Sequence, residues 1–87
     1  MSTVPPSAVK AFDASTLEKT AYTSVANVPT REPNDRYRLG YSVWSFLSER
    51  KGTLDQAVHT AGARLLIPEA DAVTAIRAEL AKAGIEA

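Results

Sequence analysis

The chain has 87 residues, 45% of them apolar, with 10 basic and 10 acidic side chains and a formal net charge of zero. A chain of this size makes one small domain that buries only about 60% of its extended surface, and its apolar content excludes full disorder. Cysteine is absent and histidine occurs once, which excludes disulfides, thiol catalysis, thiolate zinc sites and an imidazole pair for a metal.

Other classes fall away on pattern. No run of about 18 uncharged apolar residues exists, so no membrane span is expected. The opening MSTVPPSAVKAFD has no apolar core of the length a secretory leader needs, so a cytoplasmic chain is expected. There is no glycine-rich phosphate loop. The carboxylates are scattered and the serines have no evident base, so neither an enzyme nor a cofactor is expected.

Charge is uneven along the chain. Residues 1–30 are balanced, with Lys10 and Lys19 against Asp13 and Glu18. Residues 31–64 carry six basic side chains against four acidic, net +2. Residues 65–87 carry two against four, net −2. The mildly basic centre is where an anionic partner would bind.

Residues 1–14, with Pro5 and Pro6, are expected to form a flexible tail ahead of a single domain over 15–87. Ser15 and Glu18 make a capping-box pattern that opens a short helix through Leu17 and Ala21, fading at Thr23–Ser24. Pro29 and Pro33 predict a loop as far as Asp35. Asn34 or Asp35 then caps a helix from Arg36 to about Lys51. Tyr37, Tyr41 and Trp44, with Val43, Phe46 and Leu47 beside them, give it one broad apolar face, and Trp44 and Phe46 are assigned to the core. Arg50 and Lys51 suit the negative end of its dipole, and Gly52 can end it in a left-handed conformation. Gly40 is a blemish, costing about 1 kcal/mol relative to Ala.

Thr53–Ile67 supports two readings. In one, Thr53 and Gln56 form a capping box, and Leu54, Ala57, Val58, Ala61 and Leu65 make a helical stripe. In the other, Ala57–His59 and Arg64–Ile67 are short strands of a hairpin, with Gly62 supplying the positive φ of its turn. The final helix is predicted to have Pro68 at its first position, Glu69 and Asp71 in its first turn, and a stripe of Val73, Ile76, Leu80 and Ala83. Gly84 stops it, Ile85 folds back on Leu80, and residues 86–87 fray. The expected fold class is a mainly α, small three-to-four-helix domain, with a two-stranded β wing if the hairpin forms.

The run from Gly52 to Val73, with His59-Thr60-Ala61-Gly62-Ala63-Arg64 followed by Ile67-Pro68-Glu69-Ala70-Asp71, is similar to the wing and following helix of MerR-like and excisionase-like winged-helix DNA-binding domains. Upstream, Ser42-Val43-Trp44 with Phe46 and Leu47 resembles the end of a recognition helix. The resemblance covers about a quarter of the chain well and half of it loosely. The sequence departs from the pattern in its long Pro29–Asp35 connection, and in Leu65 and Leu66 where the wing often carries arginines.

This resemblance implies a small DNA-binding accessory or regulatory protein on double-stranded DNA, acting as a dimer or in arrays. Arg36, Arg38, Arg50 and Lys51 would then contact phosphates, Tyr41, Ser42 and Ser45 would reach base edges or phosphates, and His59 and Arg64 would serve the wing. Five of them also have an ordinary role: Arg36 and Arg38 as partners of Glu32 and Asp35, Arg50 and Lys51 as dipole complements, His59 as a partly buried or surface histidine. Glu69 and Asp71 argue against the final helix as a reader of DNA. The alternative is a helical protein–protein interaction module that docks a partner protein or self-associates as a homodimer, since domains this small are marginal by core burial alone.

Overall fold

The computed structural model describes residues 14–87. Apart from Ala14, which opens a helix, the tail expected over 1–14 lies outside the described residues. Among the described residues four helices follow one another: α1 (Ala14–Ser24), α2 (Pro33–Glu49), α3 (Leu54–Thr60) and α4 (Glu69–Lys82). Each packs on the next, and α4 returns to α1, so the helices close a ring around one core. Its centre is made of Ala21, Val25, Leu39, Val43, Leu54, Val58, Ile76 and Leu80, all nearly solvent-free.

The β wing is not formed: among the described residues there is no strand, only an isolated antiparallel bridge between Thr30 and Leu65. Each hairpin argument has a different outlet. Thr53 and Gln56 complete the capping box, with Thr53 Oγ1 accepting from the Gln56 amide and Gln56 Oε1 from the Thr53 amide, both at 3.1 Å. That local pair starts α3 and commits residues 54–60 to a helix. Gly62 does adopt positive φ, 67°, but it ends α3 rather than turning a hairpin. Leu65 is outside the helix, and the extended stretch around it pairs with the α1–α2 connection: Arg31 N–H donates to Arg64 O and Leu66 N–H to Pro29 O, both at 3.0 Å.

That pairing is fastened by a buried carboxylate. Asp35 is fully buried, and the Arg64 guanidinium lies 3.3 Å from its Oδ2. Glu32 N–H donates to the same oxygen at 3.1 Å. Burial alone would push the Asp35 carboxyl up, but the hydrogen bonds from Arg64, its positive charge and the Glu32 amide outweigh it and hold it below the usual carboxylate value.

Several boundaries differ from expectation. α2 starts at Pro33 rather than Arg36 and is capped by Glu32, with Asp35 serving from inside the first turn. Proline is at home there because the first helical N–H has no partner to lose. The helix ends at Glu49, and Arg50 rather than Gly52 is the first residue to turn left-handed, at φ 55°. Trp44 is only partly buried and packs against the core from outside. α4 begins one residue after Pro68, which is its cap, and Ala83 is exposed. Its ending is as expected: Gly84 has φ 84°, Ile85 N–H donates to Leu80 O at 2.9 Å, and Ile85 is buried. Residues 86–87 are tied down rather than frayed, because Arg50 donates to Glu86 O at 2.9 Å and Arg77 to Ala87 O at 3.1 Å.

Candidate interaction surface

Gly40 shapes the candidate face. α1 crosses α2 there, and a Cβ on Gly40 would lie 2.7 Å from Tyr22 Cε1, 3.2 Å from Cγ and closer still to Cδ1. The missing side chain lets the Tyr22 ring lie on the backbone of α2. Tyr22 then meets Tyr37 edge to face at 5.8 Å. One turn along, Tyr41 meets Trp44 in the same way at 5.8 Å. All three tyrosines and the one tryptophan of the sequence therefore gather along the outward ridge of α2 and its border with α1. Tyr37 is 68% exposed and Tyr41 58%.

Helical geometry explains why this ridge is not core. At 100° per residue, Leu39, Val43, Phe46 and Leu47 share one side of α2, and Tyr37, Tyr41 and Trp44 share another, turned away from it. The first set is buried in the ring of helices. Burial raises the Tyr22 hydroxyl above its ordinary value, helped by the Glu18 carboxylate and by Tyr37 and Tyr41. Among the described residues, Trp44 Nε1 is the buried side-chain polar atom that lacks a hydrogen-bond acceptor.

Beside the ridge, between α2 and α3, runs an open groove of about 740 Å³. Tyr37, Tyr41 and Phe46 supply its apolar wall on α2, and Ala57 and Ala61 leave room on α3. Arg38, Glu49 and Lys51 supply its charge. Ser42 Oγ donates to Ala57 O at 2.6 Å, fixing the two helices to each other.

Of the nine residues singled out for nucleic acid, five line this groove: Arg38, Tyr41, Ser42, Ser45 and Lys51. The other four are engaged elsewhere. Arg36 donates to Val28 O at 3.0 Å. Arg50 reaches Glu86 O and lies 5.6 Å from the centre of the Phe46 ring. Arg64 is held by Asp35 and, at 3.7 Å, by Glu32. His59 Nδ1 faces Glu69 at 3.1 Å. The pair proposed for the wing is therefore split between two parts of the fold.

Sequence reasoning missed Tyr22, which was not singled out, and Tyr37, which was placed in an apolar face. The available signal was the spacing of Tyr37, Tyr41 and Trp44, a stripe offset from the Leu39, Val43 and Phe46 stripe. Among the described residues no cluster of three or more metal-binding side chains occurs, and no helix is long and apolar enough to cross a membrane. No family model, no curated protein and no solved structure matches the chain.

Proposed function

We propose that this chain is a non-catalytic helical protein–protein interaction module that binds its partner through the tyrosine ridge and groove of α2. The supporting observation is the gathering of three tyrosines and the tryptophan on one side, with Tyr37 and Tyr41 mostly exposed. Tyrosine and tryptophan are the residue types that dominate interface energetics, because they bury a large rigid area at low entropic cost. Exposed aromatic side chains grouped on one side are a feature of surfaces that dock a partner.

Duplex DNA is the second reading, favoured by the five candidate residues that meet in the groove. It has less support. Arg36, Arg50 and Arg64 are occupied within the chain, and a net-neutral protein lacks the field that draws a polyanion.

A photo-crosslinking amino acid at position 41, introduced in the cells that make the protein, tests both. A covalent adduct to a polypeptide is expected. No adduct, or an adduct to nucleic acid, overturns the interaction module.

A further inference from the structure

The geometry points to a second copy of this chain as the occupant of the α2 face, packed antiparallel so that Arg38 of each copy meets Glu49 of the other. This inference rests on the interaction reading above and names its partner.

The argument is one of register. Arg38 and Glu49 both line the groove and are eleven residues apart, close to three helical turns, so they stand on the same side of α2 about 16 Å apart. Tyr41 and Ser45 lie between them on the same wall. Along α2 itself the strip thus reads cation, aromatic and small polar centre, anion, with Lys51 just past the helix end as a further cation of the groove. A two-fold axis across its middle, near Val43 and Trp44, sets each cation opposite an anion twice over.

A parallel arrangement would place Arg38 against Arg38 and Glu49 against Glu49. Charge therefore selects the antiparallel isologous contact. Neither end group is saturated at home. Glu49 is exposed and, among the described residues, has no cation within 4.0 Å. Arg38 touches Asp35 only at 3.8 Å and keeps its side chain 54% exposed, while Asp35 already holds Arg64 more closely. The neutral centre carries Tyr41, whose ring can lie in the gap that Ser45 of the second copy leaves. Two helices meeting on such a strip cross at a shallow angle, as bundle helices do. One helix face is a small interface, so the dimer should dissociate in the micromolar range.

Light scattering of the full chain after size exclusion reads this directly. From about 1 to about 500 µM, the mass should climb from 9.3 kDa toward twice that value. Glu49→Arg and Arg38→Glu should each raise the dissociation constant at least about tenfold, since each creates two like-charge contacts. Mixed in equal amounts, the two variants should form a heterodimer of near-native affinity, because both contacts are then again opposite in sign.

Arg38→Glu also faces buried Asp35, so Ser45→Cys supplies a test with no charge change. In a chain without cysteine, a short bismaleimide should join Ser45→Cys into dimers and leave Thr74→Cys, on the exposed side of α4, as monomer. A mass fixed at 9.3 kDa, full self-association of Glu49→Arg, a mixture that does not recombine, or equal joining of the two cysteine variants overturns the inference. If the mass stays monomeric while position 41 captures a different polypeptide in cells, the second copy is wrong and the interaction module holds. If position 41 captures nothing, both fail.

Discussion

Gly40→Ala tests whether α1 really rests on α2 through the Tyr22 ring. Helix propensity alone makes the substitution stabilising by about 1 kcal/mol. The structure predicts the opposite sign. The added methyl would lie 2.7 Å from Tyr22 Cε1 and 3.2 Å from Cγ, whereas carbon atoms pack at about 3.5–4.0 Å. The ring must therefore retreat by about 1 Å, and overpacking of this kind costs about 1–3 kcal/mol. Retreat also disturbs the edge contact with Tyr37 at 5.8 Å, a further cost of about 0.5–1.5 kcal/mol. Set against the propensity gain, a net loss of about 1–2 kcal/mol is expected, or roughly 4–15 °C in Tm for a domain of this size.

The control is Tyr22→Ala. With the ring gone, Gly40→Ala should recover its propensity gain of about 1 kcal/mol, giving a coupling of about 2–3 kcal/mol in the double-mutant cycle. Urea denaturation followed by far-ultraviolet circular dichroism on the four proteins measures it. A Gly40→Ala midpoint above that of the native chain, or additive behaviour with Tyr22→Ala, would refute the packing argument.

The remaining expectations concern the helix start, the tryptophan and the buried carboxylate. Thr53→Ala removes the hydroxyl that accepts from the Gln56 amide and should cost about 1 kcal/mol in urea denaturation. Trp44→Phe removes an N–H that has no acceptor, so it should cost less than about 1 kcal/mol despite the lost volume; a larger loss in the same assay would mean that the indole is bonded in solution. Arg64→Ala should lower Tm at neutral pH by freeing both the Asp35 carboxylate and the Thr30–Leu65 pairing. Its pH dependence has a definite sign. The folded pKa of Asp35 lies below its ordinary value of 3.8, so its contribution is present above that pH and is lost as pH falls through the folded pKa. In Arg64→Ala most of the groups that hold Asp35 low are gone while burial still pushes it up, so the part of the acid loss due to Asp35 should shrink or change sign, which thermal melts across the acid range will show.

Much of the fold was legible where a signal is local. The last helix, its Gly84 stop and the return of Ile85 onto Leu80 follow from spacing and one glycine, because a helix ending is satisfied within six residues. The Thr53–Gln56 box identified the start of α3 for the same reason. The stretch beyond it stayed open because both patterns are partly true: residues 54–60 obey the helix, and Leu65 takes extended backbone. What decides Leu65 is Thr30, thirty-five positions earlier, and no local pattern carries that information.

The surface was harder to read. Arg36, Arg50, Arg64 and His59 are typical phosphate-seeking side chains by type, and only the folded chain supplies the carbonyls and carboxylates that occupy them. The apolar content of α2 marked it as amphipathic, but Tyr37 and Trp44 count as apolar in any such pattern, and the pattern does not say which side faces inward.

The amino-acid order alone determined a small chain without cysteine, helical in its periodicity, with capping residues and glycines that bound the helices to within a few positions. Tertiary structure alone decided that Gly40 is a seat for Tyr22, that Asp35 and Arg64 fasten two connections together, and that the tyrosines stand outside the core. The physical reason is range. Capping and periodicity act within about one or two helical turns, whereas burial and ion pairing depend on which distant residues the closed ring of helices brings into contact.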